Sequence, residues 1–238
     1  MANGLQTIIN MAETIQFDRR NVVGVQYTRS EIPKISETPT RNSWKMNVSI
    51  KASMPYNDYR ALIERIDDLD RRAPDYITFS DNPKLSWLAR YLGSCSQAQL
   101  NAMQVDSFIG NQLILKNLPA LTPVTMTSTT PLFKSGDFIQ IGTGTTNPYP
   151  FTVVNDVLRG SGSTVTLTMH RPNFITSSVA NSVITVGNAV TFKMFCPNMP
   201  IYKLLPGATQ YDSSGNIINN AYLEWSEDFK LYEWVGGA

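Results

Sequence analysis

Ser43-Trp-Lys-Met-Asn-Val-Ser-Ile-Lys51, continued by Ala52-Ser-Met-Pro-Tyr-Asn-Asp-Tyr-Arg-Ala-Leu-Ile-Glu-Arg-Ile-Asp-Asp-Leu-Asp-Arg-Arg-Ala-Pro74 and Asp75-Tyr-Ile-Thr-Phe-Ser-Asp81, carries the clearest change of hydrophobic period in the chain. Trp44, Met46, Val48 and Ile50 alternate with Lys45, Asn47, Ser49 and Lys51, the period of two that a half-buried strand requires. Tyr56, Tyr59, Leu62, Ile63, Ile66 and Leu69 then recur at steps of three and four, which places them on one face of a helix. Ser53 reads as the N-cap and Pro55 as a first-turn residue, Arg71 and Arg72 complement the C-terminal dipole, and Pro74 ends the helix. A second alternating run follows from Tyr76 to Ser80. The stretch predicts a sheet with one amphipathic helix laid on it.

Before this module the sequence predicts a short helix or arm from Leu5 to Phe17, a strand from Val22 to Thr28, and a loop holding Pro33 and Pro39. Beyond about residue 105 the pattern becomes purely β. Leu113–Leu118, Phe138–Ile141, Phe151–Val154, Thr164–Met169, Val183–Val186 and Val190–Phe195 read as short strands separated by turns such as Ser135-Gly136-Asp137 and Arg159-Gly-Ser-Gly-Ser163. Five or six short strands without a helix point to a small closed barrel or sandwich. In the last segment Leu223, Trp225, Phe229, Leu231 and Val235 share one parity, with a break at Glu227. Tyr222, Tyr232 and Trp234 occupy the other, so this run reads as one long strand covered on both sides. The expected organisation is a discontinuous first domain, residues 1–104 and 197–238, interrupted by an inserted all-β domain at 105–196.

Composition narrows the function. The 238 residues hold 20 basic and 19 acidic side chains, a net charge of +1, which favours no polyanion partner and no specific nucleic-acid binding. No apolar run approaches the ~20 residues of a membrane span, and the N-terminus shows no secretory leader. Charged residues make up 16%, below the ~25% of an ordinary domain, with Asn, Thr, Ser and Gln in their place. Such a surface suits burial against neighbours, because charge is depleted from interface cores.

Catalytic signals are sparse. Cys95 and Cys196 form no CxxC pair and read as thiols, not as a disulfide framework or a zinc site, so no metal and no cofactor is expected. His170, the single histidine, lies in Thr-Met-His-Arg-Pro, a strand end running into a turn. Gly142-Thr-Gly144 lacks the helix and lysine of a phosphate cradle and reads as a loop. Asp67, Asp68 and Asp70 read as a solvated helix face. No catalytic residue is assigned, and an enzyme is not expected.

Trp44–Lys51, Tyr56–Arg72 and Tyr76–Phe79 resemble the tail-tube-type module of long-tailed bacteriophage tail proteins. Gln112-Leu-Ile-Leu-Lys-Asn-Leu-Pro119, Phe133-Lys-Ser-Gly-Asp-Phe-Ile-Gln140 and His170-Arg-Pro172 resemble an insertion of distal tail and minor tail proteins. Asn198-Met-Pro-Ile-Tyr-Lys-Leu-Leu-Pro-Gly207 and Trp225-Ser-Glu-Asp-Phe-Lys-Leu-Tyr-Glu233 resemble the return of such chains to the first domain. The resemblance implies a mainly β fold with one flanking helix (α+β), a tail-tube-like β-sandwich carrying an inserted small β-barrel. It also implies a structural virion protein, assembled in the host cytoplasm as a ring of six copies between tail tube and baseplate or hub proteins. Leu5–Phe17 matches nothing in that family.

A different class of function is a host-glycan-binding module of the tail tip. Tyr149, Phe151 and Phe174 near Asn147, Asn155 and Asn173 are the residues that could stack and hold a sugar. The reading of the same aromatics as core and interface residues is the favoured one.

Overall fold

The computed structural model describes residues 4–19, 23–27, 33–37, 43–50, 54–67, 73–207, 209–211, 213–215, 217–219 and 221–235. The chain enters with α1 (Gly4–Met11), β1 (Ala12–Asp18), β2 (Val23–Tyr27), β3 (Pro33–Glu37), β4 (Lys45–Ile50), β5 (Met54–Pro55), α2 (Tyr56–Asp67) and β6 (Asp75–Ile77). Its middle runs α3 (Gln97–Ala102), β7 (Gln104–Ile109), β8 (Gln112–Lys116), β9 (Pro131–Phe133), β10 (Phe138–Ile141), β11 (Phe151–Thr152), β12 (Val157–Leu158), β13 (Val165–Thr168) and β14 (Ile184–Val186). It closes with β15 (Phe192–Phe195), β16 (Tyr202–Leu205), β17 (Thr209–Tyr211), β18 (Ile217–Asn219), β19 (Tyr222–Trp225) and β20 (Phe229–Glu233). Two compact units result. One comprises 1–17, 44–86 and 193–238, the other 18–43 and 87–192.

In the first unit a five-stranded sheet has the order β1-β4-β20-β15-β6. Alternation explains its central pair. β20 runs antiparallel to β4 with Phe229 opposite Val48 and Leu231 opposite Met46, and all four are buried. Glu233 falls on the same buried parity, where its carboxylate accepts the Trp44 N–H at 3.0 Å. Phe17 packs edge-on against Trp44 and Phe79, at ring separations of 5.8 and 5.6 Å. The N-terminal segment belongs to this unit. Asn82, buried, donates to the Ile9 carbonyl in the last turn of α1 (2.6 Å) and accepts from the Lys84 and Leu85 N–H groups.

A second sheet in this unit, β16-β19-β5, lays its inner face on α2. Ile63 and Leu223 are fully enclosed there, with Tyr56, Tyr59, Tyr202 and Trp225 around them. Ile63 and Ile66 are buried while Arg60, Glu64 and Arg65 are exposed, the phase that the apolar spacing predicts. Pro55 is the last residue of β5, not a first-turn helix residue. Ser53, Leu69, Arg71, Arg72 and the acids Asp68 and Asp70 lie outside the described residues.

Three expectations are corrected here. The run from Leu223 to Val235 is two strands in two different sheets, because Ser226-Glu-Asp228 breaks the ladder between β19 and β20. Pro33 opens a strand where a loop is expected. The β2–β3 ladder runs from Val23 opposite Glu37 to Tyr27 opposite Pro33, and a proline at a strand's first residue is compatible with pairing.

The third correction concerns the fold class: among the described residues no sheet closes into a barrel. The second unit holds three short open sheets, β13-β8-β7, β11-β10-β14 and β12-β9, besides the β2–β3 pair. A barrel needs one ladder continuing through every strand and back to the first. Here strands are two to six residues long, and register shifts interrupt β7 at Val105/Ser107 and β12 at Val157/Leu158. Left-handed residues, among them Gly110, Gly136, Gly142 and Asn181, then turn the chain out of the ladder. Single bridges join the sheets instead, Gln104 to Val183 and Val153 to Met169. The edges are tied off locally: the Val105 N–H donates to the Ser182 carbonyl and the His170 N–H to the Thr152 carbonyl. What remains of the expected fold is a mostly antiparallel β protein with a few short helices.

The short sheets enclose one apolar core, which includes Leu113, Leu115, Phe133, Ile139, Phe151 and Leu167. All four residues of β10 are buried. Gln140 is tolerated there because its amide donates to the Gly144 and Thr146 carbonyls (2.8 and 2.9 Å) and accepts from Thr191 (2.7 Å). Asp137, also buried, accepts the Leu92 and Lys134 N–H groups at 2.8 and 2.7 Å. Asp137→Ala is therefore expected to cost about 2–4 kcal/mol, since it orphans two donors. Asp137→Asn, which keeps one acceptor, is expected to cost less; chemical denaturation of the two variants checks the order.

Candidate functional site

His170 sits where β13 ends, held against β11. Its Nδ1 accepts the Thr152 N–H at 2.9 Å, and Nε2 is enclosed although part of the ring reaches solvent. Burial, followed by the nearby charges of Arg171 and Arg19, pushes the imidazole down to about 3. The ring is neutral at pH 7 and a weak base. It closes the ladder between two strands.

That arrangement makes stability depend on pH. An unfolded histidine titrates near 6.5, so on acidification the unfolded chain takes up the proton first and the folded state resists it down to about 3. Stability falls through that window, by up to about 2 kcal/mol at pH 5. Asp75 and Asp137, whose carboxyls burial raises, change stability in the opposite direction on acidification. Comparison with His170→Asn, whose amide oxygen can still accept from Thr152, isolates the histidine. The wild type is expected to lose more stability than this variant between pH 7 and 5 in urea titrations.

The aromatics of the glycan hypothesis lie beside His170 and pack on one another. Phe151 is fully buried, edge-on to Phe108 at 5.0 Å and 5.8 Å from Phe174. Tyr149 stands edge-on to Phe174 at 5.1 Å. The buried Arg171 guanidinium lies over both the Phe151 and Phe174 rings, 5.0 and 4.8 Å from their centres, and donates to the Pro150 carbonyl. Asn173 donates to the Phe108 carbonyl and accepts from Ile175. Asn155 is exposed. Phe151 thus belongs to the core, while Tyr149, Phe174 and Asn147 are half-buried at its edge.

Gly142-Thr-Gly144 is the loop leaving β10. The Gly142 carbonyl accepts from Thr185 and the Gly144 carbonyl from Gln140, while the Gly142 N–H donates to the Val183 carbonyl and the Thr146 N–H to the Thr143 carbonyl. A phosphate cradle needs several N–H groups turned toward the ligand, and these two are spent within the protein. Cys95 is half-buried and Cys196 buried, neither forms a disulfide, and burial pushes the Cys95 thiol up. Among the described residues no group of three His, Cys, Asp or Glu could hold a metal ion. No described helix is long and apolar enough to cross a membrane.

The first unit holds a surface of another kind. The sheet β16-β19-β5 pairs Leu205 with Tyr222, Lys203 with Glu224 and Tyr202 with Trp225. Residues directly opposite share a face. Leu223 and Trp225 turn to the α2 core, so Ile201, Lys203, Leu205, Tyr222 and Glu224 turn outward. Ile201 extends the ladder by accepting the Ser226 N–H at 2.8 Å. It is 76% exposed, with Leu205 at 44% and Tyr222 at 36%. β16 is moreover an edge strand. An open edge beside an apolar outer face is a template for strand pairing.

No family model matches the chain, and no curated protein matches its sequence. The arrangement therefore rests on its own chemistry. Sequence inspection misses β16 because Pro200 and Pro206 bracket it and only four residues pair. The alternation of Ile201, Lys203 and Leu205 with Tyr202 and Leu204 offers no polar face to mark it.

Proposed function

We propose that this chain is a structural virion protein that forms a ring of identical copies, six in number, at the junction of tail tube and baseplate in a long-tailed bacteriophage. Tail-tube and baseplate or hub proteins are its neighbours in the virion, and its role is to join them, without a catalytic step. The family and the number six come from the resemblance of the Trp44–Lys51, Tyr56–Arg72 and return motifs. The observation that carries assembly is the exposed outer face of Ile201, Leu205 and Tyr222 beside the open β16 edge. Covering that face removes apolar area from water, at roughly 25 cal/mol per Å², and pairing the edge satisfies its backbone groups. The charge fraction of 16% agrees with a surface covered by neighbours. The glycan-binding alternative finds less support, since Phe151 and Phe174 pack around Arg171.

The test is the double substitution Ile201→Asp, Leu205→Asp, followed by sedimentation over a concentration series. The wild type is expected to associate into rings visible by negative stain. The variant is expected to remain monomeric with an unchanged melting temperature, because both side chains point outward. A wild type that stays monomeric at every concentration, alone and with its tail-tube partner, would contradict the reading.

A further inference from the structure

We infer that the seam of the assembly joins β16 of one copy to the outer edge of β1 in the next, a deepening that rests on the ring reading above. A closed ring requires two different patches per copy, because a patch that pairs with itself yields a two-fold dimer and stops. The two larger sheets of the first unit offer four terminal strands, β16 and β5 in one and β1 and β6 in the other. Two of the four are blocked. β5 is two residues long, ends in Pro55, which has no N–H to donate, and leads directly into α2. The edge at β6 is covered by α1: the Leu5 N–H donates to the Asp75 carboxylate, and the Gln6 amide bonds both the N–H and the carbonyl of Thr78, as a neighbouring strand would.

β16 and β1 remain. Among the described residues no strand lies beyond either. Between its flanking prolines β16 has none, and β1 contributes seven residues without proline or glycine. Antiparallel alternation, set by the Ser226 to Ile201 bond, turns the Leu204 N–H and carbonyl away from β19. Charge then favours unlike edges. β16 carries Lys203 and no acid, whereas β1 carries Glu13 and no base, and both side chains are exposed. Lys203 faces Glu224 on its inner side and leaves its outer side toward the seam, while Glu13 has Lys84 at 3.9 Å, a loose surface contact. Pairing β16 with a second β16 brings lysine toward lysine.

The experiment is a charge-reversal cycle on the full chain. Lys203→Glu and Glu13→Lys are each expected to lower the association constant per seam about fivefold, and the double variant to recover most of the loss. Sedimentation equilibrium reads the constants, and thermal melting confirms that all three variants fold. Any contribution of Glu224 persists in the double variant, so recovery reports the seam alone. If the wild type forms rings and the double variant is no better than Lys203→Glu, the seam lies elsewhere and the inference is overturned while the ring stands. If the wild type forms no assembly, alone or with its tail-tube partner, the ring reading fails and this inference fails with it.

Discussion

Ile66→Asp is expected to leave the first unit unfolded at neutral pH. Ile66 is 1% exposed on the inward stripe of α2, one turn beyond Ile63, which packs on Leu223. An unpaired carboxylate there costs several kcal/mol in desolvation and loses the burial of a large aliphatic side chain. A domain's whole stability is ~5–15 kcal/mol, so the substitution removes most of it. Glu64→Ala, two residues earlier on the exposed face, is expected to change stability by less than about 0.5 kcal/mol. Circular dichroism and chemical denaturation of the pair decide the matter. Equal behaviour of the two variants would mean that the helix is phased differently.

In the second unit the largest effect is expected from Phe151→Ala. The ring is fully buried among Phe108, Phe174 and the Arg171 guanidinium, so its loss leaves a cavity and strips one wall from a buried cation. Core Phe→Ala substitutions cost about 3–5 kcal/mol, which corresponds to a fall in Tm of more than about 10 °C. Asn155→Ala, at an exposed position, is the control and is expected to melt with the wild type. The comparison also bears on the glycan hypothesis. A sugar platform would lose binding with little change in stability, whereas a core residue loses stability first.

The residues that were legible from sequence share one property: their partners are close or their period is long. Met46 and Val48 alternate, Ile63 and Ile66 keep helical step, and both pairs are buried as those periods require. The shape of the second unit was not legible. Whether short strands close into a barrel depends on which edges meet, and local alternation is the same in either case. Register shifts at Val105/Ser107 and Val157/Leu158 decided it, and neither carries a sequence mark. The break between β19 and β20 is visible as a charged residue, Glu227, on the apolar parity, but sheet membership is a long-range fact. α3 could have been read, since Ser96 and Gln99 form a reciprocal capping box. For the candidate site, the low charge fraction raises the expectation of covered surface, and only the geometry shows an exposed apolar face, at Ile201, Leu205 and Tyr222.

Ring formation is the claim on which the functional account depends, and pairing between β16 and β1 is its specific form. Both concern the assembled particle, so a density map of the tail in which the account places this chain is the most direct measurement. The account predicts six copies closing a ring around the channel at the tube-baseplate junction, with the β16-β19-β5 sheet of each copy covered by its neighbour. A single peripheral copy on the outside of the tail, with Ile201, Leu205 and Tyr222 still facing solvent, would contradict it.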